Sequence, residues 1–317
     1  MSQQQQVLTD VQLHVRDWQQ SVLFPGQIKP GEGFKGFLTK LTEVVLTEQQ
    51  AVGRRTSFPV TVQGMRWRVQ RIQQYRYSCR LVMNRAPKLG ELKLLECHAN
   101  MMLSDELRKS GGLVLFSGLT GSGKTTSMNG MVVSRLEQFG GFAQTVEDPI
   151  EIVIEGWHGA GYCTQIDVGE SPSGMEFNFD RRYAEAITSA LRSFPARDRS
   201  MLMIGEVRDG HSAAELLRIA VDGHLVLSTI HSRDIPSGLR RLAALARAGG
   251  ESQADEFIAD ALRMSFHQRL DNGIPQVLSL DLRDRKDLSQ YISKGEYARL
   301  DGEIELQRRK NVQGRGV

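Results

Sequence analysis

Apolar positions fall into two regimes along the chain. In the first, Phe34, Phe37, Leu38, Leu41 and Val45 recur at steps of three and four, which predicts a helix over Phe34–Val45 with one apolar face. Ser57–Val62 and Met65–Arg71 flank Gln63-Gly64, a hairpin signal, and Tyr75–Met83 predicts a further strand. The turn-forming stretch Asn84–Gly90 then interrupts the pattern. Beyond about residue 91, short apolar runs alternate with helical patterns. Strands are expected over Gly112–Ser117, Phe142–Glu147, Met201–Gly205 and His224–Thr229, and helices over Lys124–Gln138, Asp180–Phe194 and Ser212–Asp222. Asp180 is the expected N-cap of its helix, with Tyr183, Ile187, Leu191 and Phe194 on the apolar face. Ser212 and Glu215 form a capping box, and Gly223 ends that helix. Residues 236–270 continue as helix. After about 281 the chain turns polar and charged, and disorder is expected over Arg308–Val317. Alternating strands and helices imply a mainly parallel α/β sheet. The expected organisation is a small α+β unit over 1–86, a linker over 87–110, an α/β unit over 111–280 and a divergent C-terminal segment over 281–317.

Bulk properties narrow the partners. A chain of 317 residues accommodates about two domains at roughly 150 residues each. The net charge of +3, from 40 basic and 37 acidic residues, makes no case for a nucleic-acid binder. Cys79, Cys97 and Cys163 are far apart and odd in number, which fits reduced thiols rather than a metal site. The polar start Met1–Gln6 lacks the basic and apolar regions of a signal peptide, and no run approaches the ~20 apolar residues of a membrane span. A cytoplasmic location is expected, with any membrane role reached through a partner.

The chemistry begins at Gly118, Leu119, Thr120, Gly121, Ser122, Gly123, Lys124 and Thr125, which match G-x-x-x-x-G-K-[ST] between a predicted strand and a predicted helix. Glycines let successive amide N–H groups point inward and cradle phosphate oxygens, and the helix N-terminus adds positive potential. In such a loop Lys124 reaches the β- and γ-phosphates of ATP and the Thr125 hydroxyl ligates Mg²⁺. Two carboxylate groups end predicted strands, Thr145–Glu151 and Met201–Asp209, and strand C-termini in an open α/β sheet face the ligand crevice. Glu206 follows four apolar residues, where a carboxylate that holds Mg²⁺ through water or polarises the attacking water belongs; Glu147 is the second candidate base. Their blander alternative is a solvated loop acid. Asp148 precedes Pro149 and suits a turn, while Arg208 and Asp209 are placed to pair with each other. His224 and His231 flank a strand and leave at its two ends, where a structural, hydrogen-bonded role competes with contact to the γ-phosphate. Arg66 and Arg68 share one face of a strand; they act either as a solvated face or as fingers toward a phosphate.

Taken together, Gly118–Thr126, Thr145–Glu151, Ile204–Asp209 and Gly223–His231 resemble the phosphate loop, "Asp box", Walker B region and "His box" of the secretion ATPase superfamily. That superfamily drives type II secretion, type IV pili and type IV secretion. The resemblance is greatest to the pilus-retraction (PilT-like) branch and its type IVB conjugation and secretion relatives (TraJ-like and DotB-like). It implies a RecA-like ATPase domain behind a PAS-like N-terminal domain, ATP bound between them, and a homohexameric ring. The ring works on an inner-membrane platform protein from the cytoplasmic face, in peripheral association and without direct nucleic-acid binding. By the same resemblance Glu206 leads catalysis with Glu147 assisting, His231 and His224 take functional roles, and Arg66, Arg68 and Arg80 are the finger candidates. The stretch Pro195–Ser200 departs from the family's Asp-Pro-Asp run. Other readings of the loop are a nucleic-acid translocase, which few tryptophans and the low charge disfavour, and a non-hydrolysing regulator, which Lys124, Thr125 and Glu206 disfavour.

Overall fold

Five antiparallel strands and one long helix build the N-terminal unit of the computed structural model, which describes residues 8–53, 56–168, 182–195 and 200–313. Strands β1 (Asp10–His14) and β2 (Val22–Phe24) precede helix α1 (Glu32–Val52), followed by β3 (Ser57–Val62), β4 (Met65–Gln73) and β5 (Arg76–Leu81) in the sheet order β2-β1-β5-β4-β3. Helix α1 buries Leu38, Leu41 and Val45, the stripe that the three- and four-residue spacing predicts, and packs on β3 and β1. Along β4, Trp67 and Val69 point into the core while Arg66 and Arg68 lie on the other face, because strand side chains alternate. This unit ends at Arg85 and takes up Glu151–Val153, where the Val153 N–H donates to the Met83 carbonyl at 2.9 Å.

The second unit begins at Ala86. Helices α2 (Glu96–Met102) and α3 (Asp105–Ser110) occupy the stretch expected as a linker. Then follow β6 (Gly112–Gly118), α4 (Lys124–Phe139), β7 (Gly141–Glu147), β8 (Gly156–His158), β9 (Gly161–Asp167), α5 (Arg182–Arg192), β10 (Met201–Ile204), α6 (Gly210–Val221) and β11 (Leu225–His231). The chain closes with α7 (Ile235–Ala248), α8 (Ala254–Ala261), β12 (Leu262–Asp271), β13 (Ile274–Asp281), α9 (Lys286–Ser293) and α10 (Leu300–Gln313). Eight strands form one sheet in the order β13-β12-β6-β11-β10-β7-β9-β8. Its centre is parallel, and every residue of β6 and β10 is buried, as expected of strands covered on both faces.

Four expectations change. Residues 262–270 are not helix but strand β12: Leu262, Met264 and Phe266 alternate with polar residues at the period of a strand, Asn272-Gly273 turns the chain into β13, and β12 pairs with β6 on one side and β13 on the other. Helix α6 is capped by Asp209, whose side chain accepts from the Ser212 N–H at 2.9 Å, rather than by a Ser212–Glu215 box; Glu215 instead accepts from the Thr188 hydroxyl. The polar C-terminal segment folds as α9 and α10, with Arg308–Gln313 inside the latter, because Leu288, Ile292, Leu300 and Ile304 join the main core and Arg285 pairs with Glu303 at 2.7 Å. Arg208 turns to Glu206 rather than Asp209. Asp180, residues 169–178 and residues 196–199 lie outside the described residues, as do residues 314–317.

Candidate nucleotide site

Strand β6 runs straight into the phosphate loop, and α4 opens at Lys124. Gly118, Gly121 and Gly123 have φ of 150°, 76° and 81°, values that side chains rarely tolerate. At Gly118 the space is also closed: a Cβ would meet the Gln268 carbonyl oxygen at 2.3 Å and the Ser122 Oγ at 2.7 Å. Gly118→Ala is therefore expected to destabilise the folded chain by about 1–3 kcal/mol, an overpacking penalty. An unchanged urea midpoint would contradict it. Lys124 is buried, and its Nζ donates to the carbonyls of Gly118 at 3.0 Å and Leu119 at 2.9 Å, so the ammonium lies folded over the loop it starts from. Leu119 and Thr120 are exposed, Thr125 and Thr126 half-buried. A groove of about 270 Å³ adjoins the loop, with Leu92, Thr126, Leu270 and Pro275 among its walls.

The acidic residues arrive from the neighbouring strand ends. Register pairs Val146 of β7 with Ile204 of β10, and Ile204 with Ser228 of β11, so the chain leaves all three strands at the same edge. That edge also holds the phosphate loop, because His231 pairs with Gly118. Glu147 is 2% exposed and accepts from Thr145 Oγ1 at 2.7 Å and Gln165 Nε2 at 3.0 Å. Next to it, the Gly205 N–H donates to the Val146 carbonyl at 2.9 Å, and a Cβ on Gly205 would lie 3.2 Å from the Glu147 Cγ. Glu206 follows, with 18% of its side chain exposed. Its Oε2 accepts from Arg208 Nε at 2.8 Å and its Oε1 lies 3.0 Å from His231 Nε2. Main-chain ties fix the turn on both sides: Val207 N–H donates to the Thr229 carbonyl at 3.0 Å, and Thr229 Oγ1 donates to the Gly205 carbonyl at 2.8 Å. Beneath them the Tyr183 hydroxyl donates to the Val146 carbonyl at 2.7 Å, and burial, reinforced by Glu147, pushes its phenol pKa up.

The two histidines separate as their spacing requires. His231 joins Glu206. His224 sits at the start of β11, about 20 Å away along a seven-residue strand, against the Phe194 ring at 5.7 Å. It lines a cavity of about 380 Å³ with Arg108, Lys109 and Phe139 rather than the phosphate loop. Asp148 precedes a cis proline at the end of β7. Arg66, Arg68 and Arg80 share one face of the N-terminal sheet, with Arg68 directly opposite Arg80; Arg68 lies 3.5 Å from Glu151, and Arg80 donates to Asp10 at 2.7 Å.

Two contributors to the loop were not foreseen, His267 and Gln268 of β12. His267 Nδ1 lies 3.0 Å from Ser117 Oγ, and burial lowers its pKa. Gln268 is 2% exposed and bonds to both Ser122 and Ser127. With residues 236–270 expected as helix they were passed over; the alternation of Leu262, Met264 and Phe266 with polar residues, ahead of the Asn272-Gly273 turn, is the strand signal that could have found them. The donors Thr125 Oγ and Glu206 are hard oxygens that fit Mg²⁺, which binds through one or two protein oxygens together with substrate phosphates and water. Among the described residues no three His, Cys, Asp or Glu side chains cluster into an all-protein metal cage.

Comparison with known proteins places the chain in a family. The family model for "Type II/IV secretion system protein" matches residues 45–279. The type IV pilus ATPase PilU of Pseudomonas aeruginosa is 32% identical over 207 residues, covering 62% of this chain and 49% of that protein. The competence protein ComGA of Bacillus subtilis is 31% identical over 156 residues, 49% of this chain and 39% of that one, so the chain spans about half or less of these relatives' length. Among solved structures, the pilus retraction motor PilT with bound ADP superposes with a TM-score of 0.71 over 94% of this chain and 86% of that one, at 22% identity. The Legionella pneumophila ATPase DotB gives 0.65 over 92% and 83%, at 19% identity. The second unit therefore has the RecA-like fold of these ATPases, preceded by a domain built on an antiparallel sheet.

Proposed function

This chain belongs to the type II/IV secretion system protein family, a family of ATPases that includes PilT-like and DotB-like members, and from that premise we propose that it is a motor ATPase powering pilus dynamics or substrate secretion. The observation that carries the proposal is the meeting, at one sheet edge, of the phosphate loop with Glu206 held between His231 and Arg208. In this reading the loop amides and Lys124 bind the phosphates of ATP. Thr125 and Glu206 would hold Mg²⁺, which would supply charge neutralisation for the phosphates. Glu206 orients the attacking water and accepts its proton. His231, on the same edge as Gly118, releases Glu206 as it turns toward the γ-phosphate. Glu147, buried and hydrogen-bonded, supports the acidic edge from below.

The active form is a homohexameric ring in which Arg66, Arg68 or Arg80 of one subunit reaches the γ-phosphate bound to the next. The ring works against a platform protein in the inner membrane, from its cytoplasmic face. No helix among the described residues is long and apolar enough to cross a membrane. ATP turnover per subunit, measured with Mg²⁺ across a range of protein concentrations, tests the ring: the specific rate climbs as subunits complete one another's sites. A flat rate from a species whose measured mass is that of a monomer overturns it. Arg66→Ala is expected to leave ATP binding intact and to lower turnover by about 10³-fold or more, the effect of losing a finger. Unchanged turnover would return Arg66 to a solvated sheet face.

A further inference from the structure

Residues from two distant parts of the chain meet behind the phosphate loop. Gln268 of β12 is 2% exposed, and its side-chain amide is used at both ends. Nε2 donates to the Ser122 carbonyl at 2.8 Å, inside the loop, and Oε1 accepts from Ser127 Oγ at 2.8 Å, on the first turn of α4. Gly123 is fitted to this amide, since a Cβ there would lie 2.8 Å from Nε2, and Gly118 is fitted to the strand behind it, since a Cβ there would lie 2.3 Å from the main-chain carbonyl oxygen of Gln268. A primary amide suits both bonds, offering an N–H to a carbonyl acceptor and an oxygen to a hydroxyl donor.

The consequence follows from the planarity of the peptide. In a trans peptide the carbonyl of one residue and the N–H of the next point in opposite directions. Holding the Ser122 carbonyl against β12 therefore turns the Gly123 N–H away from β12, into the concave side of the loop. Gly123 has no Cβ and a φ of 81°, so without this tie its peptide plane has a low barrier to turning over. From this geometry we infer that Gln268 is a positioning residue for phosphate binding: it touches no phosphate itself but presets the Gly123 N–H that does. The role rests on the reading of Gly118–Thr125 as a nucleotide cradle.

The test uses the full chain, ADP with Mg²⁺ as the ligand, and two substitutions. Gln268→Met keeps the length and loses both bonds. Gln268→Glu keeps an acceptor for Ser127 and loses the donor to Ser122. Both are expected to raise the Kd for ADP, and the KM for ATP with it, by about tenfold, the scale of one preset hydrogen bond. The melting temperature of the nucleotide-free protein should also fall, because buried partners lose their bonds, and kcat should change less than KM. Ser127→Ala, which leaves the Ser122 tie in place, should raise Kd by less than about threefold, because only the second bond goes. Wild-type ADP affinity in Gln268→Glu overturns the inference, as does an effect of Ser127→Ala equal to that of Gln268→Met. So does a fall in melting temperature with Kd unchanged, which is the signature of a strut. Should Gln268→Met fail to fold, Gln268→Glu and Ser127→Ala carry the comparison. A wild type that does not bind ADP overturns the nucleotide cradle itself, and this role with it; a wild type that binds while the variants bind equally well overturns Gln268 alone.

Discussion

Lys124→Ala is expected to bind ATP at least about tenfold more weakly than the wild type, the loss of one or two charge-assisted hydrogen bonds at roughly 1.5–3 kcal/mol each. The Lys124 ammonium lies at the loop, buried and donating to the Gly118 and Leu119 carbonyls. Phosphate binding exchanges these two neutral acceptors for anionic oxygens. The gain is electrostatic, and it grows in a buried setting where water screens little. Alanine is a good helix former at the first turn of α4, so the helix itself is expected to persist. Titration with a fluorescent ATP analogue, run beside a melting curve of the nucleotide-free protein, separates lost binding from lost folding. Wild-type affinity in the alanine variant would remove Lys124 from the phosphate site.

Glu206→Gln should show the converse, with ATP binding retained and turnover lowered by about 10²–10⁴-fold, the usual contribution of a general base. The substitution preserves shape: a glutamine oxygen still accepts from Arg208 Nε, so the turn after β10 has no reason to move. What disappears is the negative charge and the basicity. Burial decides between the two carboxylates. Glu147 is 2% exposed and accepts from Thr145 and Gln165, whereas 18% of the Glu206 side chain reaches solvent beside His231. A water that attacks phosphate must be within reach of its base, and Glu206 meets that condition better. Phosphate release measured at saturating ATP checks it. Normal turnover in Glu206→Gln would move the catalytic assignment to Glu147.

The loop and both carboxylates were legible because their signals are local. G-x-x-x-x-G-K-T dictates its own backbone through glycine φ values, and a run of buried β-strand residues delivers whatever follows it to the sheet edge. The apolar runs before Glu147 and Glu206, and the one before His231, thus determined where these side chains emerge. Spacing alone also separated His224 from His231. Whether Arg208 meets Glu206 or Asp209 is a matter of one rotamer and one helix cap, and the cap took Asp209.

Tertiary structure decided what the strand β12 meets. Its alternation of Leu262, Met264 and Phe266 with polar residues and the Asn272-Gly273 turn after it are local strand and hairpin signals, but its neighbour β6 lies far away in the sequence and is set only by the ladder the two complete. With that strand in place, Gln268 meets Ser122 from 146 positions away, and His267 meets Ser117 from 150. The fold of the polar C-terminal segment was decided in the same way, by Leu300 and Ile304 reaching a core formed elsewhere in the chain. Sequence by itself determined the chemistry that a few consecutive residues can hold. Contacts across 146 or more positions have no local signature, because the free energy that fixes them arises only when the sheet closes around them.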